Sequence, residues 1–108
     1  MVERMDGCLF CKIIKKEHPA DIVWETDDVV IFKDIRPAAR VHLLVVPKRH
    51  VASVKDADDA DQAMLGGLIL AARDAARQEN LTGYKLLFNV GRDGGQVIDH
   101  IHLHLMGS

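Results

Sequence analysis

The sequence predicts an α+β domain in which a five-stranded antiparallel sheet packs with one long and one short helix. One long stretch carries apolar residues at a helical spacing, and five short runs are rich in β-branched and aromatic residues. The last two of these runs lie close enough in sequence to pair as a hairpin. The 108 residues match the usual size of one domain, so residues 1–108 are expected to form a single unit.

Two segments have the spacing of amphipathic helices. Residues 9–16 set apolar side chains against lysines, and Pro19 closes this short helix. Residues 58–80 form the long helix, with aspartates near its start, arginines near its end and Gly83 after its predicted stop. The apolar stripe of the long helix consists of Met64, Leu65, Leu68, Ile69, Ala72 and Ala76.

Five runs of β-forming residues are separated by turn residues. The predicted strands are residues 22–25, 29–33, 42–47, 85–90 and 98–106. A glycine-rich loop, residues 91–96, joins the last two strands, and its length suits an antiparallel hairpin. We therefore expect an antiparallel sheet that packs against the long helix.

Charge and hydropathy limit the classes of partner. A net charge of -2 provides no broad basic surface for nucleic acid, which is not expected as a partner. No run reaches the roughly 20 apolar residues of a membrane-spanning helix, so no membrane partner is expected either. Residues 1–7 lack the apolar core of a secretory signal, which favours a cytoplasmic location.

Cys8 and Cys11 are the two cysteines of the sequence, and they have a Cys-x-x-Cys spacing. A disulfide framework normally has several pairs at wider separations, so in a reducing compartment this pair suggests metal or redox chemistry. The alternative is that both side chains are small buried hydrophobic groups.

The most informative segment is residues 100–106, in which His100, His102 and His104 alternate with apolar residues. On a strand, alternate side chains share a face, so we expect the histidines in one row and the intervening apolar side chains in the core. Such a row is suited to bind a phosphate or a metal ion. The alternative is a strand whose histidines only face solvent or respond to pH.

Residues 100–106 match the His-φ-His-φ-His-φ-φ signature of the histidine-triad superfamily, in which φ is a hydrophobic residue. Further matches extend over nearly the whole chain: Phe10-x-x-Ile13-Ile14, Asp34-Ile35-x-Pro37, His42-x-Leu44-x-Val46-Pro47-Lys48-x-His50 and Asn89-x-Gly91-x-x-Gly94-Gly95-Gln96. In these residues the chain resembles the branch of histidine-triad nucleotide-binding proteins.

The resemblance implies a homodimer in which two five-stranded sheets join, and a purine nucleoside monophosphate or its conjugate as ligand. In this family the residue that corresponds to His102 attacks the α-phosphorus and forms a nucleotidyl-histidine, which water hydrolyses. His104 would contact the phosphate oxygens, and His42 would orient the triad. A neutral imidazole is a nucleophile at neutral pH, which agrees with the role implied for His102.

The resemblance also implies a nucleotide-binding set around the triad. Asp34 would hold the ribose hydroxyls, Asn89 would contact phosphate or ribose, and the glycine-rich loop would stabilise charge on the phosphate oxygens. Each residue also has an ordinary interpretation, such as core packing for Phe32 or turn formation for Asp34. The expected set is Phe10, Ile13, Phe32, Asp34, Ile35, Asn89, Gly95, Gln96, His102 and His104.

Cys8, Cys11, His50 and His100 fill the positions at which some members of the superfamily carry zinc. Two thiolates and two imidazoles suit tetrahedral zinc, although the spacing alone supports only the Cys-x-x-Cys half. We expect a structural zinc that anchors the first helix to the sheet. A closed four-ligand site leaves no open position for the chemical step.

The main prediction is a purine nucleoside phosphoramidate hydrolase. Relatives that cleave phosphoramidates usually have a serine where this chain has Val97, which leaves the substrate open. A dinucleoside polyphosphate hydrolase is the nearest alternative, but that branch usually has glutamine where His104 stands. Two further alternatives remain. The protein could be a nucleotide-binding regulatory module with weak activity, or the three histidines could hold a catalytic zinc.

Overall fold

Five antiparallel strands form one sheet at the centre of the structure, a computed structural model that describes residues 7–108. Residues 1–6, most of the segment considered for a secretory signal, lie outside the described residues. The strands are β1 (Ile22–Glu25), β2 (Val29–Lys33), β3 (Val41–Pro47), β4 (Lys85–Phe88) and β5 (Leu103–Gly107). Their order in the sheet is β1-β2-β3-β5-β4, which confirms the predicted antiparallel α+β fold.

Two helices cover opposite faces of the sheet. The short helix α1 (Leu9–Ile14) packs on one face and the long helix α2 (Gln62–Gln78) packs on the other. Side chains alternate along β2 and β3, so Ile31 and Val45 join the core under α2 whereas Phe32 and Leu44 join the core under α1. Every residue of β3 is buried, because both of its faces are covered.

The start of α2 is set by a reciprocal capping box. The carboxylate of Asp58 accepts from the N–H of Ala60 at 2.8 Å, and the N–H of Asp58 donates to Asp61 at 3.0 Å. These bonds fold residues 59–61 into a 3-10 turn. The α-helix therefore begins at Gln62, four residues after the predicted start.

Each helix is followed, two positions after its last residue, by a residue other than glycine that has a positive φ. Lys16 has φ +64° and its N–H donates to the carbonyl of Ile13 at 3.0 Å, so α1 ends at Ile14 rather than at residue 16. Asn80 has φ +59° and follows the end of α2, a conformation that the sequence suggested for Gly83. The ends of both helices thus depend on local hydrogen bonding that apolar spacing does not reveal.

The last strand is shorter than predicted, which changes the placement of the triad. β5 begins at Leu103, so His100 and His102 precede the strand and the prediction that they lie on it is wrong. The chain bends there because the N–H of Ile101 donates to the carbonyl of Val51 at 2.8 Å instead of to a sheet neighbour. The alternation of side chains nevertheless holds, with these apolar residues buried: Ile101, Leu103 and Leu105.

The connection between β4 and β5 is also longer than predicted. β4 ends at Phe88, and residues 89–102 lead to β5, with a 3-10 turn over Arg92–Gly94. The two strands still pair antiparallel, from Phe88 opposite Leu103 to Lys85 opposite Met106. This long connection brings the glycine-rich loop and two of the triad histidines next to the sheet.

The buried stripe of α2 is narrower than predicted. Leu68, Ala72 and Ala76 are buried as expected, but Ile69 is 46% exposed because it lies about a quarter turn away from Leu68. Among the described residues, no helix combines the length and hydropathy needed to span a membrane.

Candidate active site and metal centre

His102 is held in one tautomer by the backbone. Its Nδ1 lies 2.8 Å from the carbonyl oxygen of His100, and because a carbonyl can only accept, Nδ1 carries the ring proton. When the ring is neutral, Nε2 therefore keeps its lone pair. Burial lowers the pKa of His102, while this hydrogen bond and the charge of Asp34 oppose the shift. A buried neutral imidazole with a free lone pair has the properties of a nucleophile.

His42 is fixed in the opposite tautomer. The N–H of Ala38 donates to Nδ1 of His42 at 2.9 Å, so that nitrogen has no proton and Nε2 carries the ring proton. Nε2 of His42 lies 3.0 Å from Nδ1 of His104 and 3.3 Å from a carboxylate oxygen of Asp34. The single Nε2–H of His42 therefore faces two acceptors.

His104 consequently carries its own proton on Nε2. That atom is buried and has no hydrogen-bond partner among the described residues. Burial, together with the charges of His102 and His42, lowers the pKa of His104 to about 4, so the ring is neutral at neutral pH. Its ring centre lies 5.1 Å from that of His102. The site thus places an N–H donor that has no partner among the described residues beside the imidazole of His102, an arrangement that suits an anionic oxygen.

Asp34, His42 and His104 have side-chain atoms within 4.8 Å of one another, close enough in principle to share a metal ion. The tautomer of His42 argues against this use, because its proton is on Nε2, the nitrogen that would bind the ion. A metal-binding histidine also normally donates from its other ring nitrogen, whereas Nδ1 of His42 accepts. We therefore interpret these three side chains as a hydrogen-bond relay.

A cavity of about 250 Å³ opens beside the triad on the face of the sheet that α1 covers. Phe10 forms part of its wall and meets His102 and Phe32 edge-on, with ring centres 5.0 and 5.4 Å away. Mostly apolar walls with a few polar groups are typical of sites for small organic ligands. The predicted nucleotide-binding residues that line it are Phe10, Ile13, Phe32, Asp34, Ile35, Asn89, Gly95, His102 and His104.

The glycine-rich loop is held by its own hydrogen bonds. The side chain of Gln96 is buried, donates to two backbone carbonyls and accepts from the N–H of Gly91 at 2.9 Å. The N–H groups of Gly94, Gly95 and Gln96 also donate to carbonyls within the loop. Gly95 lines the cavity and Gln96 does not. The side chain of Gln96 therefore shapes the loop, and these three N–H groups are already paired.

Cys8, Cys11, His50 and His100 converge, with their ligand atoms all within 4.8 Å of one another. Nδ1 of His100 lies 3.4 Å from Sγ of Cys8 and 3.1 Å from Nδ1 of His50. Sγ of Cys11 lies 3.3 Å from the same atom of His50. Tetrahedral zinc with ordinary bond lengths separates its ligand atoms by about 3.3 to 3.8 Å. The chemistry of the set, and separations close to this range, are therefore compatible with zinc.

The surroundings of His100 favour ligation by its Nδ1. Nε2 donates to the carbonyl of Pro47 at 2.8 Å, which leaves the Nδ1 lone pair toward the cysteines. Burial lowers the pKa of His100 to about 4, and burial raises the pKa of the Cys11 thiol to about 12. A neutral imidazole is ready to bind a cation, whereas this thiol needs a nearby cation to lose its proton.

Because His100 faces the cysteines and the Nδ1 of His102 is used by a carbonyl, the three triad histidines do not form a shared metal site among the described residues. This geometry gives no support to a catalytic zinc held by all three rings. His102 and His104 are instead free to act on a ligand in the cavity.

Comparisons with known proteins agree with this geometry. A family profile described as "Scavenger mRNA decapping enzyme C-term binding" matches residues 7–108. Protein HitA of Neisseria gonorrhoeae is 47% identical over 105 residues, which cover 96% of this chain and 98% of that protein. The chain belongs to the histidine-triad (HIT) superfamily. The similarity to these proteins supports the interpretation of this chain as a hydrolase or nucleotide-binding protein of the HIT type.

Solved HIT structures share the whole fold. A HIT family hydrolase from Legionella pneumophila Philadelphia 1 matches with a TM-score of 0.93 and 46% identity, covering 94% of this chain and 93% of that one. A Zn-bound histidine triad family protein from Mycobacterium smegmatis matches with a TM-score of 0.81 and 31% identity, covering 94% of this chain and 75% of that one. Zinc in that HIT protein is compatible with the Cys₂His₂ set described above.

Sequence reasoning missed part of the cavity wall of this HIT protein. His18, Pro19 and Ala20, in the loop after α1, line the cavity. No motif marks these residues, because their position depends on how the loop returns from α1 to β1. His42 lies behind the cavity and reaches it through His104.

Proposed function

We propose that this HIT protein hydrolyses purine nucleoside 5′-phosphoramidates, with His102 as the nucleophile. The observation that carries the proposal is the hydrogen bond from Nδ1 of His102 to the carbonyl of His100, which leaves Nε2 with a lone pair. The cavity beside this ring, with its apolar wall and unpartnered donor, supports a ligand that has both a flat apolar part and an anionic part.

The reaction has two displacements at phosphorus. The lone pair on Nε2 of His102 forms a bond to the α-phosphorus, and the electron pair of the broken P–N bond stays with the leaving nitrogen. A proton from water completes the released amine, since Val97 has no hydroxyl to supply one. The hydroxide left by that water then attacks the phosphorus, and Nε2 of His102 departs with the electron pair of its bond to phosphorus. Substrate and one water thus become one amine and one nucleoside monophosphate.

His104 would stabilise the charge on the phosphate oxygens. Its Nε2–H is buried and unpartnered among the described residues, so a phosphate oxygen would satisfy a donor that otherwise costs free energy. The donor needs no reorganisation, because His42 already holds Nδ1 of His104 at 3.0 Å. His104 therefore contributes to binding and to the charge that develops during the displacement.

The nucleoside would occupy the apolar part of the cavity. Phe10, Phe32 and Ile13 are buried and provide a wall for the purine, while Ile35, 88% exposed, would cover the base at the rim. Asp34 lines the cavity and would accept hydrogen bonds from the ribose hydroxyls. Asn89 and Gly95 line the same cavity and would lie near phosphate or ribose.

We also propose a structural zinc at Cys8, Cys11, His50 and His100. When bound, the ion would supply charge that holds both thiolates and would tie α1 to the loop before β5. The hydrogen bond from Nε2 of His100 to the carbonyl of Pro47 orients this ligand, so that its Nδ1 faces the cysteines. The chemical step is assigned to His102 alone.

A homodimer through β4 completes the proposal. β4 lies at one edge of the sheet, and Leu86 and Leu87 on it are 37% and 39% exposed. Ile69 and Leu70 on α2 are 46% and 51% exposed. Among the described residues β4 pairs only with β5, and apolar side chains on such an edge strand favour pairing of its other side with a second copy.

Parallel turnover assays test the substrate class. The wild-type protein should cleave adenosine 5′-phosphoramidate faster than a diadenosine polyphosphate, and the opposite order would contradict the proposal. His102→Ala should abolish turnover and retain affinity for AMP. An inert wild type that binds AMP tightly would favour a nucleotide-binding regulatory module instead.

A further inference from the structure

The carboxylate of Asp34 is held on two sides by the protein itself. One oxygen accepts from the N–H of Arg36 at 2.8 Å, and the other lies 3.3 Å from Nε2 of His42. The side chain is only 18% exposed and also lines the triad cavity. If Asp34 only bound the ribose hydroxyls, it would need only the side of its carboxylate that faces the cavity. That role does not explain why the carboxylate also contacts His42.

That second contact connects Asp34 to the triad. The N–H of Ala38 keeps Nδ1 of His42 unprotonated, so the proton on Nε2 is shared between Asp34 and Nδ1 of His104. Because Nε2 of His42 carries this proton, it cannot accept a hydrogen bond from Nδ1 of His104, so the ring proton of His104 lies on Nε2, which has no partner among the described residues. Asp34 therefore lies at the outer end of the hydrogen-bond relay Asp34–His42–His104.

We propose that Asp34 is a positioning residue for the displacement at phosphorus, in addition to any contact with ribose. Its carboxylate keeps the ring proton of His42 on Nε2 and the rings of His42 and His104 in place, so that Nε2–H of His104 points to the phosphate. This inference rests on the proposed function, because it concerns the same reaction.

The charge of Asp34 has a second consequence. When Nε2 of His102 bonds to phosphorus, the imidazole ring gains positive charge, and its surroundings are largely buried. A carboxylate at the end of the relay offsets this charge without touching the reacting atoms. The substitution Asp34→Asn would keep the size of the side chain but would remove the negative charge, and the new amide nitrogen would be an additional donor facing the N–H of His42.

A substrate without ribose hydroxyls separates the two roles of Asp34. Asp34→Asn and the wild type are compared on adenosine 5′-phosphoramidate and on its 2′,3′-dideoxy analogue. If Asp34 acted only on ribose, the substitution would have no effect on the dideoxy substrate. We expect instead a kcat about tenfold or more below wild type on the dideoxy substrate, with KM nearly unchanged. On the ribose substrate, KM should rise as well.

The control is Asp27→Asn, which removes the same charge from an exposed position in the turn between β1 and β2. It should match the wild type on both substrates. Equal kcat of Asp34→Asn and wild type on the dideoxy substrate would overturn the positioning role while leaving the proposed function intact. A wild type with no turnover of the ribose substrate would instead overturn the proposed function.

Nitrogen NMR of the histidine rings provides a readout that does not depend on turnover. Wild-type His42 should show a protonated Nε2 and an unprotonated Nδ1, and His104 should show a protonated Nε2. In Asp34→Asn the ring-nitrogen shifts of both residues should move, whereas the melting temperature stays close to wild type. Unchanged shifts of both rings would contradict the relay.

Discussion

The backbone carbonyl of His100 accepts the Nδ1 hydrogen bond of His102 at 2.8 Å, while the ring of the same His100 lies 3.4 Å from Sγ of Cys8. His100 therefore contacts the proposed nucleophile, His102, through its backbone and the proposed zinc ligands through its side chain. Because its Nε2 is also tied to Pro47, the position of His100 is determined on three sides. The metal set and the active site are thus mechanically connected without sharing a ligand atom.

Loss of the metal set should affect stability more than chemistry. The double substitution Cys8→Ser, Cys11→Ser should remove bound zinc and lower the melting temperature by about 10 °C. This is the shift expected when a protein loses a ligand that was present at roughly 100 times its Kd. The turnover that remains at a temperature where the variant is folded should stay within about tenfold of wild type. Metal content and thermal unfolding measure both effects, with chelator-treated wild type as the reference. Equal metal content in variant and wild type would contradict the assignment.

Substitution of Gly95 should destabilise the protein, whereas substitution of Gly94 should not. Gly95 has φ +88°, which strains any residue with a Cβ, although its nearest neighbour, Asn89, leaves 3.8 Å for that atom. Gly95→Ala should therefore lower the free energy of unfolding by about 1 to 2 kcal/mol through backbone strain. Gly94→Ala meets nothing within 4 Å and is the matched control, with an expected change below about 0.5 kcal/mol. Urea unfolding compares the two, and equal losses would argue against a fixed loop conformation.

His104 should make stability depend on pH in the acidic range. Its pKa falls from 6.5 in the unfolded chain to about 4 in the folded protein, mainly because of burial. Between these values the unfolded chain binds a proton that the folded protein does not, so the free energy of unfolding decreases as pH decreases from 6.5 to 4. His104→Gln removes this contribution and should give a shallower slope in that window. Denaturant unfolding at several pH values, with zinc content measured at each, checks the sign; an unchanged slope would contradict it.

The edge strand β4 should control the oligomeric state. Leu86→Lys with Leu87→Lys places two charges on the proposed pairing edge, and we expect a monomer in sedimentation velocity where the wild type is a dimer. Val97→Lys is the matched control, because Val97 is 79% exposed but lies outside β4. A monomeric wild type, or a dimer that survives the double substitution, would exclude this interface.

The sequence predicted the architecture well because its signals are local and periodic. The bounds of β1 and β2 are as predicted, and the alternation of apolar residues placed Leu103 and Leu105 in the core. The ends of α1, α2 and β5 differed, since they depend on bonds such as that from Ile101 to Val51. The bonds at the helix ends are local, whereas the bond from Ile101 to Val51 joins residues far apart in sequence, and neither kind leaves a periodic trace.

The candidate site was predictable in composition but not in its hydrogen bonding. Most motif residues lie together, including Cys8 and His100, which are 92 positions apart, whereas Gln96 does not line the cavity. The tautomers of His42 and His104 follow from the N–H of Ala38, a backbone group that no sequence motif records. The paired donors of the glycine-rich loop likewise depend on its folded path.

In the proposed reaction His102 forms a bond to phosphorus. Mixing the protein with excess labelled adenosine 5′-phosphoramidate, quenching it within milliseconds without acid and mapping its peptides by mass spectrometry tests the claim directly. We expect one adenylyl group on the peptide that contains His102, absent from His102→Ala and lost on longer incubation as AMP appears. Steady release of AMP with no adduct at any time, or an adduct on another residue, would contradict the account.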